Sequence, residues 1–126
     1  MDPLQSATPV TFLYVSDRDR ALAFYCETLG FSLHSADSFG DFIDLGGAML
    51  RMTVIPDNKA HAHPVLGWNV DDISAAVDAL LARGIAFAIY QGMGQDERGI
   101  WTAPNGGSKV AFFADPDGNV LSLAQI

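Results

Sequence analysis

The sequence predicts an α+β fold made of two tandem βαβββ modules, their strands forming a cupped mixed sheet with the helices on its outer face. Three observations predict it. A pattern of strand, helix cap, apolar stripe and terminal glycine occurs twice, a hairpin signal closes each half, and a polar stretch bounded by prolines separates the halves.

The first module opens on Val10-Thr11-Phe12-Leu13-Tyr14-Val15, a β-branched and aromatic run that reads as a strand. Ser16 or Asp17 then caps a helix, with Asp19 in its first turn to complement the dipole. Leu22, Tyr25, Cys26 and Leu29 fall at helical spacing on one stripe. Gly30 supplies the left-handed residue that ends the helix, and Phe31 the hydrophobic contact after it. A short strand over Phe31 to Ser35 follows. The hairpin then runs from Asp41 to Leu45, turns at Gly46-Gly47 and returns over Ala48 to Ile55.

The second module repeats the order. Val65 to Val70 is its first strand, Asp71 or Asp72 caps its helix, and Ile73, Val77, Leu80 and Leu81 form the stripe. Gly84 and Ile85 close that helix, which is one residue shorter than the first. A strand over Ile85 to Tyr90 comes next. The last hairpin runs from Lys109 to Ala114, turns through Asp115-Pro116-Asp117-Gly118-Asn119 and returns over Val120 to Gln125. The modules are thus residues 8–55 and 65–126 of a single domain, with 56–64 as a linker. Gln91 to Ser108 is a long glycine-containing loop holding Asp96, Glu97, Arg98 and Trp101, and a loop of that length is functional or mobile.

Strand parity separates two faces. Thr11, Leu13, Val15, Leu50, Met52, Val54, Leu66, Trp68, Val70, Leu121 and Leu123 form an apolar set for the helix side, which makes Trp68 a core residue. The opposite set mixes Val10, Phe12, Tyr14, Met49, Arg51, Thr53, Val65, Asn69 and Ser122. That mixture suits a concave small-molecule site, a partly wetted dimer interface, or both.

Composition narrows the function further. The net charge is −8 with only seven Lys and Arg, so there is no basic stripe to displace counterions from nucleic acid or to meet an acidic membrane. No apolar run approaches the roughly 20 residues that cross a bilayer. The N-terminus lacks a basic region, and the single cysteine, Cys26, reads as a structural thiol in a reducing compartment. A cytoplasmic protein is expected.

Val15-Ser16-Asp17, Phe24-Tyr25, Leu29-Gly30-Phe31 and the closing Asp115-Pro116-Asp117-Gly118-Asn119 together resemble the vicinal-oxygen-chelate superfamily of glyoxalases, bleomycin-resistance proteins and extradiol dioxygenases. The segment from Gln95-Asp96-Glu97 through Gly99-Ile100-Trp101 to Ala103-Pro104 is similar to glyoxalase-like proteins of unknown activity. The resemblance implies His, Gln or Glu metal ligands near the start of each module's first strand and in its last strand. Here those positions hold Val10, Arg51, Val65 and Ser122, which cannot bind Zn²⁺, Ni²⁺ or Fe²⁺. Glu27 and Glu97 lie outside the final strands, and His61 and His63 form a solvated pair in the linker.

The resemblance therefore implies a metal-free binder without cofactor or catalytic residues. Its small-molecule ligand lies in a cleft between paired modules, within a homodimer. Its expected ligand-binding residues are Phe12, Tyr14, His34, Met49, Arg51, Trp101 and Ser122, with Phe12 and Tyr14 as the wall and Trp101 stacking from the long loop. Arg51 either clamps a ligand carboxylate or phosphate, or pairs with an internal acid such as Asp44 or Asp96. The alternatives are a metal-dependent lyase, isomerase or dioxygenase with other ligands, a metal-free enzyme using His34 or Tyr14 as base, and an assembly protein.

Overall fold

The four strands of the first half, β1 (Val10–Val15), β2 (Ser32–Ala36), β3 (Gly40–Asp44) and β4 (Met49–Val54), pair in the order β1-β4-β3-β2. The second half repeats that order as β5-β8-β7-β6, with β5 (Pro64–Asn69), β6 (Trp101–Thr102), β7 (Lys109–Ala114) and β8 (Val120–Gln125). In each sheet the first and last strands run parallel and the other pairs antiparallel. The structure, a computed structural model, describes residues 2–126 and divides into two compact units, one ending at Lys59 and the other spanning Ala60–Ile126.

Each unit carries one helical segment between its first two strands. In the first, Asp17 accepts the Arg20 N–H as N-cap of α1 (Arg18–Leu22). The chain then widens into a π-helical turn, Ala23–Thr28, with Leu29 N–H donating to the Phe24 carbonyl at 2.9 Å. In the second, Asp72 caps α2 (Ile73–Ala82) by accepting the Ala75 N–H. The π turn accounts for the extra residue in the first module, because such a turn absorbs one inserted residue without breaking the helix. Gly30 and Gly84, at φ 85° and 89°, close the two helices as expected.

Burial follows the parity read from the strands. Leu13, Val15, Ile43, Leu50 and Met52 are buried with Ala21 and Tyr25 of the helical segment in the first unit. Ile73 and Val77 of α2 are buried with Ala111, Phe113, Leu121 and Leu123 in the second. Trp68, expected in the core, is half-buried and stacks on Phe113 with ring centroids 6.5 Å apart. Leu81 departs from expectation: at the edge of the α2 stripe, it is 39% exposed.

The second module's middle strand is also displaced. Ile85 to Tyr90 makes only an isolated bridge, Phe87 to Phe113, and the strand beside β7 is Trp101–Thr102. The side chain of Gln95 explains the change. Its Oε1 accepts the Tyr90 N–H, and its Nε2 donates to the carbonyls of Ala88 and Gly99. Backbone groups that a ladder would use are thereby satisfied locally, and the chain leaves the sheet edge.

The long loop is consequently an ordered structure. Asp96 accepts the N–H groups of Arg98 and Ile100, and Arg98 bonds to Asp78 at 2.7 Å and to the Ser74 hydroxyl of α2 at 2.9 Å. Among the described residues, no helix is long and apolar enough to cross a membrane.

Candidate functional site

In the first unit, the face of the sheet opposite the helix carries the candidate residues in register. One row across the strands reads Phe12, Arg51, Phe42 and Ser35, and the next reads Val10, Met49 and Asp44. Tyr14 and Thr53 begin a third. Phe12 is 64% exposed and Tyr14 49%, so this face is open within the unit.

The β2–β3 register slips between Leu33 and Ser35, leaving His34 as the extra residue of a bulge. A bulge sets two successive residues against one, and so re-aims a side chain that strict alternation would send elsewhere. His34 and Ser35 both line the same depression, with Nδ1 of His34 3.0 Å from the Ser35 hydroxyl. Thr8, Val10, Phe42 and Met49 complete a cavity of about 260 Å³.

Arg51 sits at the centre of the face. Its guanidinium carbon lies 4.6 Å from the centroid of the Phe42 ring, a cation–π contact. Its Nη2 donates to Asp37 at 2.9 Å. Nη1 is buried and has no hydrogen-bond partner among the described residues. The internal acid is therefore Asp37, not Asp44 or Asp96. Those two are engaged in their own turns, Asp44 by the Gly46 N–H and Asp96 by Arg98 and Ile100. Arg51, followed by the N–H groups of Phe39 and Gly40, holds the Asp37 carboxyl below the ordinary carboxylate range.

The remaining candidates lie in the second unit. Ser122 is on the corresponding open face, in the row Gly67, Ser122, Phe112, the counterpart of Phe12, Arg51, Phe42. Its Oγ occupies the space where a Cβ on Gly67 would stand. Trp101 belongs to β6, paired with Val110, which is itself paired with Ala124, so register puts it on the Ser122 face. The depression itself gathers only His34 and Met49 of the seven expected residues. Val10, Phe42, Ser35, Thr8 and Asp37 lie outside that set; alternation along β3, which puts Phe42 and Asp44 on one face, is the signal that finds Phe42.

A divalent metal does not fit the donors present. At the positions where the resemblance implies chelating ligands the chain has Val10, Val65, Ser122 and Arg51, the last already paired with Asp37. No group of three or more His, Cys, Asp or Glu side chains suited to a metal ion occurs among the described residues.

Comparison with known proteins agrees with the doubled sheet topology. A "Probable lactoylglutathione lyase" from Vibrio cholerae is 30% identical, the match covering 91% of this chain and 87% of that protein. An antibiotic binding protein from Streptomyces sp. CB03234 superposes with a TM-score of 0.67 at 25% identity, over 98% of both chains. A bleomycin resistance determinant encoded on the transposon Tn5 gives 0.72 at 24% identity, over 95% of this chain and 98% of the other. Residues 7–123 match the profile of the Glyoxalase/Bleomycin resistance protein/Dioxygenase superfamily, and the chain belongs to that superfamily.

Proposed function

We propose that this chain is a metal-free small-molecule binding protein of the glyoxalase/bleomycin-resistance type. It acts as a cytoplasmic homodimer whose two modules, 8–55 and 65–126, work as one domain. The ligand is small and partly aromatic. One observation carries the reading: where the chelating members need a metal ligand in the last strand of the first module, this chain has Arg51, held by Asp37 and Phe42 beside an apolar depression. A cationic side chain at that point repels a metal ion and recognises an acceptor instead. Phe12, Tyr14, His34, Met49 and Arg51 are its binding residues in the first module, and Trp101 and Ser122 in the second.

Thermal unfolding against a library of metabolites and antibiotics tests it. A ligand at 100 times its Kd adds about 2.7 kcal/mol, which raises the midpoint by several degrees. If no compound shifts the midpoint, the reading fails.

The similarity to a probable lactoylglutathione lyase favours a second reading, a metal-dependent lyase. Elemental analysis separates the two. Stoichiometric Zn, Ni, Mn or Fe in the purified protein overturns the metal-free reading, whereas unchanged unfolding after chelator treatment supports it.

A further inference from the structure

The surroundings of Arg51 narrow the class of ligand. The depression beside it is built from Val10, Met49, the Phe42 ring and Thr8, and the polar atoms of His34 and Ser35 lie within hydrogen-bonding distance of each other. Its volume of about 260 Å³ falls just below the range of about 300–1,000 Å³ for drug-sized ligands, so the occupant is small and mostly apolar.

The guanidinium has one unmet demand. Nη2 is committed to Asp37 and the flat face to Phe42, while Nη1 is buried without an acceptor among the described residues. A buried donor left unpaired is destabilising, and an acceptor brought by a ligand removes that cost. Phe12, the other neighbour of Arg51 in register, is 64% exposed and has room to turn aside and admit it.

Charge decides which acceptor. Arg51 and Asp37 already form a neutral pair 2.9 Å apart. A ligand carboxylate would add a second negative charge beside Asp37, on a chain whose net charge is −8. A carbonyl oxygen satisfies Nη1 without that repulsion.

We infer that the open face of the first module takes a neutral, flat aromatic molecule bearing a carbonyl acceptor, with Arg51 recognising the oxygen and Asp37 discriminating against carboxylates. This rests on the binding-protein reading and deepens it. A matched pair of probes, 2-naphthamide and 2-naphthoate, differs chiefly in charge. Calorimetric titration of the full chain at pH 7 is expected to give an affinity for the amide at least about tenfold higher than for the carboxylate. Asp37→Asn keeps an acceptor for the Phe39 and Gly40 N–H groups but unbalances Arg51, so it reverses or abolishes that preference. Arg51→Gln weakens amide binding by roughly tenfold. Melting curves establish that both variants are folded; if Asp37→Asn is not, Arg51→Gln and the wild-type ratio carry the test.

Equal or tighter binding of the carboxylate by the wild type overturns the ligand class but leaves the binding-protein reading standing. An unchanged amide affinity in Arg51→Gln does the same. Binding of neither probe also overturns the ligand class, while the library screen judges the broader reading separately.

Discussion

Arg18 and Asp41 meet in two hydrogen bonds, Nη2 to Oδ1 at 2.8 Å and Nε to Oδ2 at 3.1 Å, with Asp41 only 1% exposed. Nη2 also donates to the carbonyls of Asp37 and Gly40, so α1 clamps the β2–β3 turn. Arg51 reaches that same turn from the other face of the sheet through the Asp37 carboxylate. Two arginines therefore shape the segment that holds the candidate site in place.

Removing one partner of that pair strands the other. Arg18→Met leaves the Asp41 carboxylate buried without its counter-ion, and the unfolding midpoint is expected to drop by roughly 5 °C or more. Arg18→Met with Asp41→Leu recovers at least part of the loss, because an apolar pair of similar volume needs no desolvated charge. Differential scanning calorimetry of both variants checks this. A double variant no more stable than the single one refutes the buried-charge account.

Asp37 makes stability depend on acid. Arg51 and two backbone N–H groups lower its folded-state pKa, so the folded protein binds the proton less readily than the unfolded chain. Its contribution is complete above the ordinary carboxylate value of about 3.9 and is lost as pH falls through the lowered folded value. The stability advantage of wild type over Asp37→Asn should thus be present at pH 6 and shrink below about pH 4. Urea titrations across that range measure it, and an advantage that grows in acid would contradict the assignment.

The limits of what the sequence discloses follow from the same residues. β1, β7 and β8 start and stop where expected, because capping aspartates and turn residues flank them. The extra residue of the first helix is visible as a difference in length, but its form as a π turn, with the fully buried Tyr25 inside it, leaves no mark in the apolar stripe. Parity brings Phe12, Tyr14, Met49 and Arg51 to one face. His34 shares that face by alternation from Ser32, and the bulge adds Ser35 to it, which leaves no mark in composition. Asp41 breaks the apolar rule for the helix-facing side, and only Arg18, 23 residues away, explains how a carboxylate survives there. Gln95 reads as a loop residue, yet its amide ends the predicted strand over Ile85 to Tyr90.

Gly67 and Ser122 are coupled by space. A Cβ at Gly67 would collide with the Ser122 Oγ and come within 3.2 Å of its carbonyl oxygen. Gly67→Ala is expected to cost about 1–2 kcal/mol as the hydroxyl is forced aside. Adding Ser122→Ala removes the obstructing atom and recovers most of the loss. A double-mutant cycle by chemical denaturation reads the coupling, and strict additivity would show that the two positions do not interact.

Cys26 serves as a probe of the helix side. Burial, then the charges of Asp41 and Glu27, push its thiol pKa up. The reactive thiolate is consequently scarcer at neutral pH than in a free cysteine, whose pKa is about 8.5. Labelling with an aromatic disulfide reagent is expected to be at least about tenfold slower than for a model thiol at pH 7. The rate should still be climbing at pH 9, where a model thiol approaches its plateau. Asp41→Asn removes one of the charges raising the pKa, so it should move the midpoint of the rate profile to lower pH. Fast labelling at pH 7 in the intact fold would mean that Cys26 is an activated thiol, and its reading as a structural residue would then be wrong.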